Sequence, residues 1–226
     1  MRQPRLLKFI LSALLLSLCL GQNAAAIPDS PKTMLEDTAN QMIDALNNSR
    51  DKIKKDPKLT EEIIEKILLP HVDFITASKW VLGQYWDTAS KAQKIEFIKT
   101  FRTLLLRFYS SALTEYLNSH DEKLDMSLMT FQDPGAINST EVTVRSEVKP
   151  KTGKPVPISY QLHQTKRGWQ VFDVSVEGVS VITTYKTSFA SEIQQKGLDA
   201  FIASLKERNE KLLAGDNSAL KVDKKQ

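Results

Sequence analysis

One cysteine in 226 residues, Cys19, leaves no disulfide framework to read. Three histidines, His71, His120 and His163, stand far apart, none with a partner at metal-ligand spacing. The chain has no G-x-S-x-G elbow and no glycine-rich phosphate loop, which excludes two common kinds of catalytic and nucleotide site. Eight glycines and nine prolines, with 41% hydrophobic and 26% charged residues, are ordinary globular usage, so collagen and disorder are excluded as well. Excess charge is also scarce. The formal +4 owes three positive charges to Arg2, Arg5 and Lys8, and the chain after Ala26 holds 28 basic against 27 acidic residues. That near-neutral body argues against nucleic acid as a partner, which needs a clustered positive surface.

Residues 1–26 read as a cleavable signal peptide. The basic stretch precedes the apolar run Phe9–Leu20, and Ala24-Ala25-Ala26 supplies the small residues of a cleavage site. Twelve apolar residues are too few to span a bilayer comfortably, so a retained anchor is the rival reading only. A lipoprotein reading of Cys19 meets Leu18 where a small residue is wanted. Export of a cysteine-free chain suits a bacterial periplasm better than a disulfide-stapled extracellular module.

Hydrophobic periodicity divides the rest into helices, a meander and helices again. Leu35, Ala39, Met42 and Leu46 recur at helical spacing from Pro31 to about Arg50, and Asp56-Pro57 ends that pattern. Thr60 is expected to cap a second helix bearing Ile63, Ile64, Ile67 and Leu68, which Pro70 stops. A short helix follows from Asp73 to about Gly83. Ser90-x-x-Gln93 is a capping-box signature opening a long apolar helix over 90–118. Two stripes run along it: Phe97, Phe101, Leu104 and Phe108, and beside them Ile98, Leu105, Tyr109, Ala112 and Tyr116. So wide an apolar face must be buried on several sides or border an internal space.

After Asn118 the period changes to two. Leu124, Met126 and Leu128 alternate with polar residues, as do Val142 to Val148, Val156 to Leu162, and Trp169 to Val176. These predict four antiparallel strands with short turns; Pro155 and Pro157 place the start of the third at an edge or a kink. Phe172, Val174 and Val176 are expected on one face and Asp173 on the other, with Trp169 and Val171. Tyr185, Phe189 and Ile193, then Leu198, Phe201, Ile202, Leu205 and Leu212, define two closing helices. The fold class is α+β: a curved antiparallel sheet of about four strands with helices packed on it, as one domain over 27–214 followed by a polar tail over 215–226.

Asp173, in a partly apolar setting, has two readings: a general base of raised pKa, or a hydrogen-bonded structural carboxylate. The apolar excess also has two readings: a close-packed core, or a core opened into an apolar cavity between sheet and helices.

Two stretches carry a resemblance. Leu82-Gly83-Gln84-Tyr85-Trp86, continued by Ala89, Gln93, Phe97, Phe101, Leu104, Tyr109 and Leu113, resembles the central helical signature of the MlaC (toluene-tolerance, phospholipid-binding) family. Asp173-Val174-Ser175-Val176-Glu177-Gly178-Val179-Ser180, running on to Ile182, Tyr185 and Phe189, resembles its second motif. The similarity covers most of residues 60–214, and Lys186 stands where the family commonly shows Arg.

The resemblance implies a periplasmic, non-enzymatic carrier without cofactor or metal. Its implied cargo is a glycerophospholipid, with the acyl chains in a cavity that opens the core. Its implied partners are an outer-membrane lipoprotein–porin complex and an inner-membrane ABC-transporter complex with its lipid-binding subunit. The implied direction is retrograde, maintaining outer-membrane lipid asymmetry, with the carrier a monomer. Motif positions put Trp86, Phe97, Phe101, Leu104, Val179 and Tyr185 in the phospholipid site; facing arguments add Val81, Phe108, Val142, Val144, Tyr160, Val174 and Ile182. Gly178 has two readings: a bend from strand to helix where a Cβ would clash, or a simple strand-ending turn. The competing functions are a periplasmic chaperone or adaptor, and a small-molecule enzyme using Asp173.

Overall fold

The computed structural model describes residues 30–137 and 139–213. The signal-peptide segment and the polar tail lie outside the described residues. Helix α1 spans Pro31–Lys55, five residues beyond the expected end, and stops at Asp56-Pro57. Helix α2 is Lys58–Ile67. It starts two residues before Thr60, because Asp56 Oδ1 accepts the Lys58 N–H at 3.1 Å. Thr60 is therefore no cap but a buried residue inside the helix, and its hydroxyl oxygen accepts from Thr114 Oγ1 at 2.8 Å. A 3₁₀ turn, Leu69–His71, carries Pro70.

Helix α3, Phe74–Leu82, is capped by Asp73, whose Oδ1 accepts from the backbone of Ile75 and Thr76. The five-residue α4, Gln84–Thr88, leads into the 29-residue α5, Lys91–Ser119. The capping box at its start is complete: Gln93 N–H donates to Ser90 Oγ at 3.1 Å, and Ser90 N–H donates to Gln93 Oε1 at 2.8 Å.

The sheet has five strands rather than four. They are β1 Met129–Phe131, β2 Glu141–Val148, β3 Val156–Thr165, β4 Gly168–Val176 and β5 Val179–Ser180, antiparallel and in sequential order. The alternation at 124–128 is not a strand. Met126–Leu128 forms a 3₁₀ turn because Asp125 Oδ1 accepts the Ser127 N–H at 2.8 Å, and pairing begins only at Met129. The third strand is central, between β2 and β4, and Pro157 lies within it. Pro157 costs no ladder bond. Its carbonyl accepts from Glu177, so its missing N–H faces the turn where β4 has already ended.

Pairing shifts between Gln161 and Leu162: Gln161 opposes Asp173, whereas Leu162 opposes Val171. Phe172 is thus an extra residue, a β-bulge, and it inverts the expected facing. Val174 and Val176 join Trp169 and Val171 on one face, and Asp173 points to the other. That first face also carries Val144 and Leu162, and it packs on Met34 and Leu35 of α1. After β5, α6 (Val181–Lys196) and α7 (Leu198–Leu213) return to the helical layer.

The helices have their own core, centred on Phe97, Phe101, Tyr185, Phe189 and Phe201. Phe97 stacks on Phe101 at 5.6 Å, and Tyr185 meets Phe101 edge-on at 5.3 Å. Each buried ring contributes about 1.5–3 kcal/mol of transfer free energy, with roughly 0.5–1.5 kcal/mol more per favourable ring pair. A third cluster, Leu46, Ile53, Ile63 and Leu117, joins α1, α2 and α5. Among the described residues, no helix is long and apolar enough to cross a membrane.

Candidate functional site

An apolar pocket of about 150 Å³ lies where helices meet sheet. One wall is Ile64 of α2 and its C-cap Leu68, Leu69 of the 3₁₀ turn, Val72, and Phe74 and Ala77 of α3. Leu105, Leu106 and Tyr109 of α5 form the second. Residues 171–174 of β4 and Val181 and Ile182 of α6 close it. Leu68 and Tyr109, 38% and 44% exposed, border both the pocket and solvent, so they mark its mouth.

Asp173 is the one ionisable carboxyl in this lining, and it is 8% exposed. Its Oδ2 accepts from Ser180 Oγ at 2.7 Å and its Oδ1 from the Ile182 N–H at 3.1 Å. Ser180 Oγ in turn accepts the Thr183 N–H at 3.0 Å. Two acceptors therefore satisfy the first turn of α6, and a negative charge at a helix N-terminus is favourably placed. This is the structural reading of Asp173. Crowding out of water, and then the Asp173 charge, push the Tyr109 phenol above its ordinary pKa. Burial and then Tyr109 raise Tyr185 strongly. Both phenols stay neutral, as suits an apolar wall.

His163 has a partner that sequence spacing did not reveal: its Nε2 lies 2.8 Å from Asp73 Oδ2. Burial raises the Asp73 carboxyl, but hydrogen bonds from the Thr76 backbone and hydroxyl, His163 and Ile75 outweigh that and hold it below the ordinary value of 3.8. Among the described residues no group of three or more His, Cys, Asp or Glu is placed to hold a metal.

Of the residues expected in the site, Val174 and Ile182 line the pocket. Val81, Phe97, Phe101, Leu104 and Tyr185 are buried in the helical core, with Trp86 packed against it. Val142, Val144 and Tyr160 share the sheet face of Val171 and Val174 and belong to the cluster that includes Met34 and Leu35 of α1. Phe108 meets Tyr109 edge-on at 5.1 Å. Val179 is 64% exposed. Leu105 and Tyr109, which do line the pocket, belong to the second stripe of the long helix rather than the first. Gly178 and Glu177 both have positive φ, 83° and 52°, and no atom lies within 4 Å of a Cβ built on Gly178. Its role is the tight β4–β5 turn and not close approach.

A helical layer and a β-meander closing on an apolar pocket have the usual form of a small-molecule site. The chain belongs to the MlaC protein family, whose match spans residues 36–207. It is 24% identical over 204 residues to the intermembrane phospholipid transport system binding protein MlaC of Haemophilus influenzae, covering 89% of this chain and 90% of that protein. It is 25% identical over 171 residues to the toluene tolerance protein ttg2D of Pseudomonas putida, covering 75% and 76%. The fold is shared with the phospholipid-binding protein of Ralstonia solanacearum, solved in complex with a phospholipid. That match has a TM-score of 0.69 at 23% identity and covers 81% of this chain and 99% of that one.

Proposed function

We propose that this protein is a non-enzymatic phospholipid carrier, which holds the acyl chains of a diacyl phospholipid in the pocket between β4, α5 and the α2–α3 segment. The observation that carries this reading is the pocket's lining, which is continuous and apolar except at Asp173. Two sixteen-carbon chains at about 0.8 kcal/mol per CH₂ represent roughly 25 kcal/mol of transfer free energy. A water-soluble carrier has to match most of that, and only an unbroken apolar lining does so. Membership of the MlaC family, with relatives named for phospholipid transport, supports the same cargo.

The carrier works in the periplasm of a Gram-negative bacterium, shuttling as a monomer between an outer-membrane lipoprotein–porin complex and an inner-membrane ABC-transporter complex. Transport is retrograde and maintains lipid asymmetry. The chain has no nucleotide-binding loop, so direction comes from the relative affinities of those partners. Asp173 has both oxygens engaged at the start of α6, which supports an anchoring role over that of a general base.

The test is loading of delipidated protein from micelles of phosphatidylethanolamine and detergent, wild type against Val174→Asp, with folding checked by circular dichroism. A charge in the lining is expected to abolish loading. A folded variant that loads like wild type contradicts this placement of the acyl chains.

A further inference from the structure

The pocket's volume, about 150 Å³, is well below the roughly 300–1,000 Å³ of ordinary small-ligand sites. It matches a different kind of site: an apolar cavity of about 150 Å³ lined by Leu, Ile and Phe stays dry and binds benzene or xenon. The lining here is of that kind. Leu105, Leu106 and Ile182 supply aliphatic surface, and Phe74, Phe172 and Tyr109 bring three aromatic rings. Such rings favour an aromatic guest, through offset and edge-to-face contacts. Polar groups do not compete for the space. Among the described residues, none of the buried side-chain atoms left without a partner belongs to the lining. Asp173 has one oxygen bonded to Ser180 Oγ and the other to the Ile182 N–H. A wall with so few free polar groups holds water weakly, so an apolar guest displaces it readily. The mouth is already open, because Leu68 and Tyr109 line the pocket while 38% and 44% exposed.

We propose that the pocket, in this form, binds one small aromatic hydrocarbon of about benzene's size. The proposal goes beyond the phospholipid reading and does not depend on it. Other classes of small guest fit less well. A polar molecule finds no unpartnered buried side-chain group in the lining to bond with, and an anion meets the buried carboxylate of Asp173. Ala77, the smallest side chain of the lining, leaves room for the guest on the α3 side. The β4 side is shaped by the bulge at Phe172, which puts this ring into the lining together with Val171 and Val174. Wherever an acyl chain uses the same lining, the two guests exclude each other.

The test is a benzene titration of delipidated protein followed by methyl NMR. The methyls of Leu105, Val174 and Ile182 are expected to shift saturably, with a midpoint on the order of 1 mM, because a ring in the pocket lies against them. Those of Leu46 and Ile53, in the cluster joining α1, α2 and α5, are expected to stay in place. Ala77→Leu fills space on the α3 side and is expected to weaken binding at least tenfold in a protein that keeps its other methyl signals. Val181→Phe gives the same block from α6 where Ala77→Leu does not fold. Shifts that rise linearly without saturating, or that spread equally to Leu46 and Ile53, overturn the proposal. So does a folded, filled variant that binds benzene as wild type does. Failure to load phospholipid from micelles bears on the phospholipid reading alone and leaves this result standing.

Discussion

Lys186 lies across Gly83: its Cε is 3.1 Å from the position a Cβ on Gly83 would take. The two residues come from the two stretches that carry the family resemblance, so the motifs meet in space where α3 ends and α6 runs past. Lys186 Nζ is 3.6 Å from the same point, which brings a cation to the C-terminal end of α3. Gly83 itself has φ 52° and ψ −123°, a backbone region essentially reserved for glycine.

Gly83→Ala is therefore expected to destabilise the protein by about 1–3 kcal/mol, mostly through backbone strain. The double variant Gly83→Ala/Lys186→Ala relieves the side-chain contact but not the strain. Chemical denaturation of both checks this; a Gly83→Ala protein as stable as wild type contradicts it.

The hydroxyl pair Thr60–Thr114 is buried and isolated from solvent. Thr114→Val leaves the Thr60 hydroxyl without its partner and is expected to cost about 1–3 kcal/mol, whereas changing both threonines to valine is close to neutral. A double-mutant cycle in urea measures the coupling. Additive losses would show that the pair contributes nothing as a pair.

Asp73 fixes the sign of an acid effect. Its carboxyl is held below 3.8 in the folded protein, so its charged form adds stability that is complete above that pH. This contribution is lost as pH falls through the lower folded value. Asp73→Asn keeps an N-cap acceptor but removes the charge, so wild type should be the more stable near neutral pH, and the gap should narrow below pH 3.8. Melting temperatures of both proteins across that range are the measurement. A gap that does not change with pH would exclude the carboxylate as its source.

Core and pocket respond differently to truncation. Phe97 is fully buried among Phe101, Phe189 and Phe201, and Phe97→Ala is expected to cost about 3–5 kcal/mol. Leu105 is only partly buried and faces the pocket. Leu105→Ala is expected to cost less stability than Phe97→Ala, and Leu105→Asp to abolish lipid loading in a protein that still folds. Circular dichroism melts alongside the micelle assay separate the two effects.

How much of this was legible in the sequence depended on the range of the interactions involved. The Ser90–Gln93 capping box joins residues three apart and forms as read. The α+β order and most of the meander followed from period alone. The Phe172 bulge did not, because strict alternation carries no sign of one extra residue, and it moved Val174 to the other face from that expected. Local side-chain competition was also missed: Asp125 turned 126–128 into a 3₁₀ turn, and Asp56 started α2 ahead of Thr60. The long helix carried two apolar stripes, and periodicity could not say which faced a core and which faced a pocket. Phe97, Phe101 and Leu104 went to the core because α6 and α7 bring Tyr185, Phe189 and Phe201 against them. His163 and Asp73 are 90 residues apart, and only the folded chain pairs them.

The most direct test of the account is mass spectrometry of organic extracts from the gently purified protein, with folded Val174→Asp alongside. The account predicts near-stoichiometric diacyl phospholipid with wild type and its loss from the variant. An extract free of phospholipid from intact wild-type protein would contradict it and favour a protein-binding adaptor.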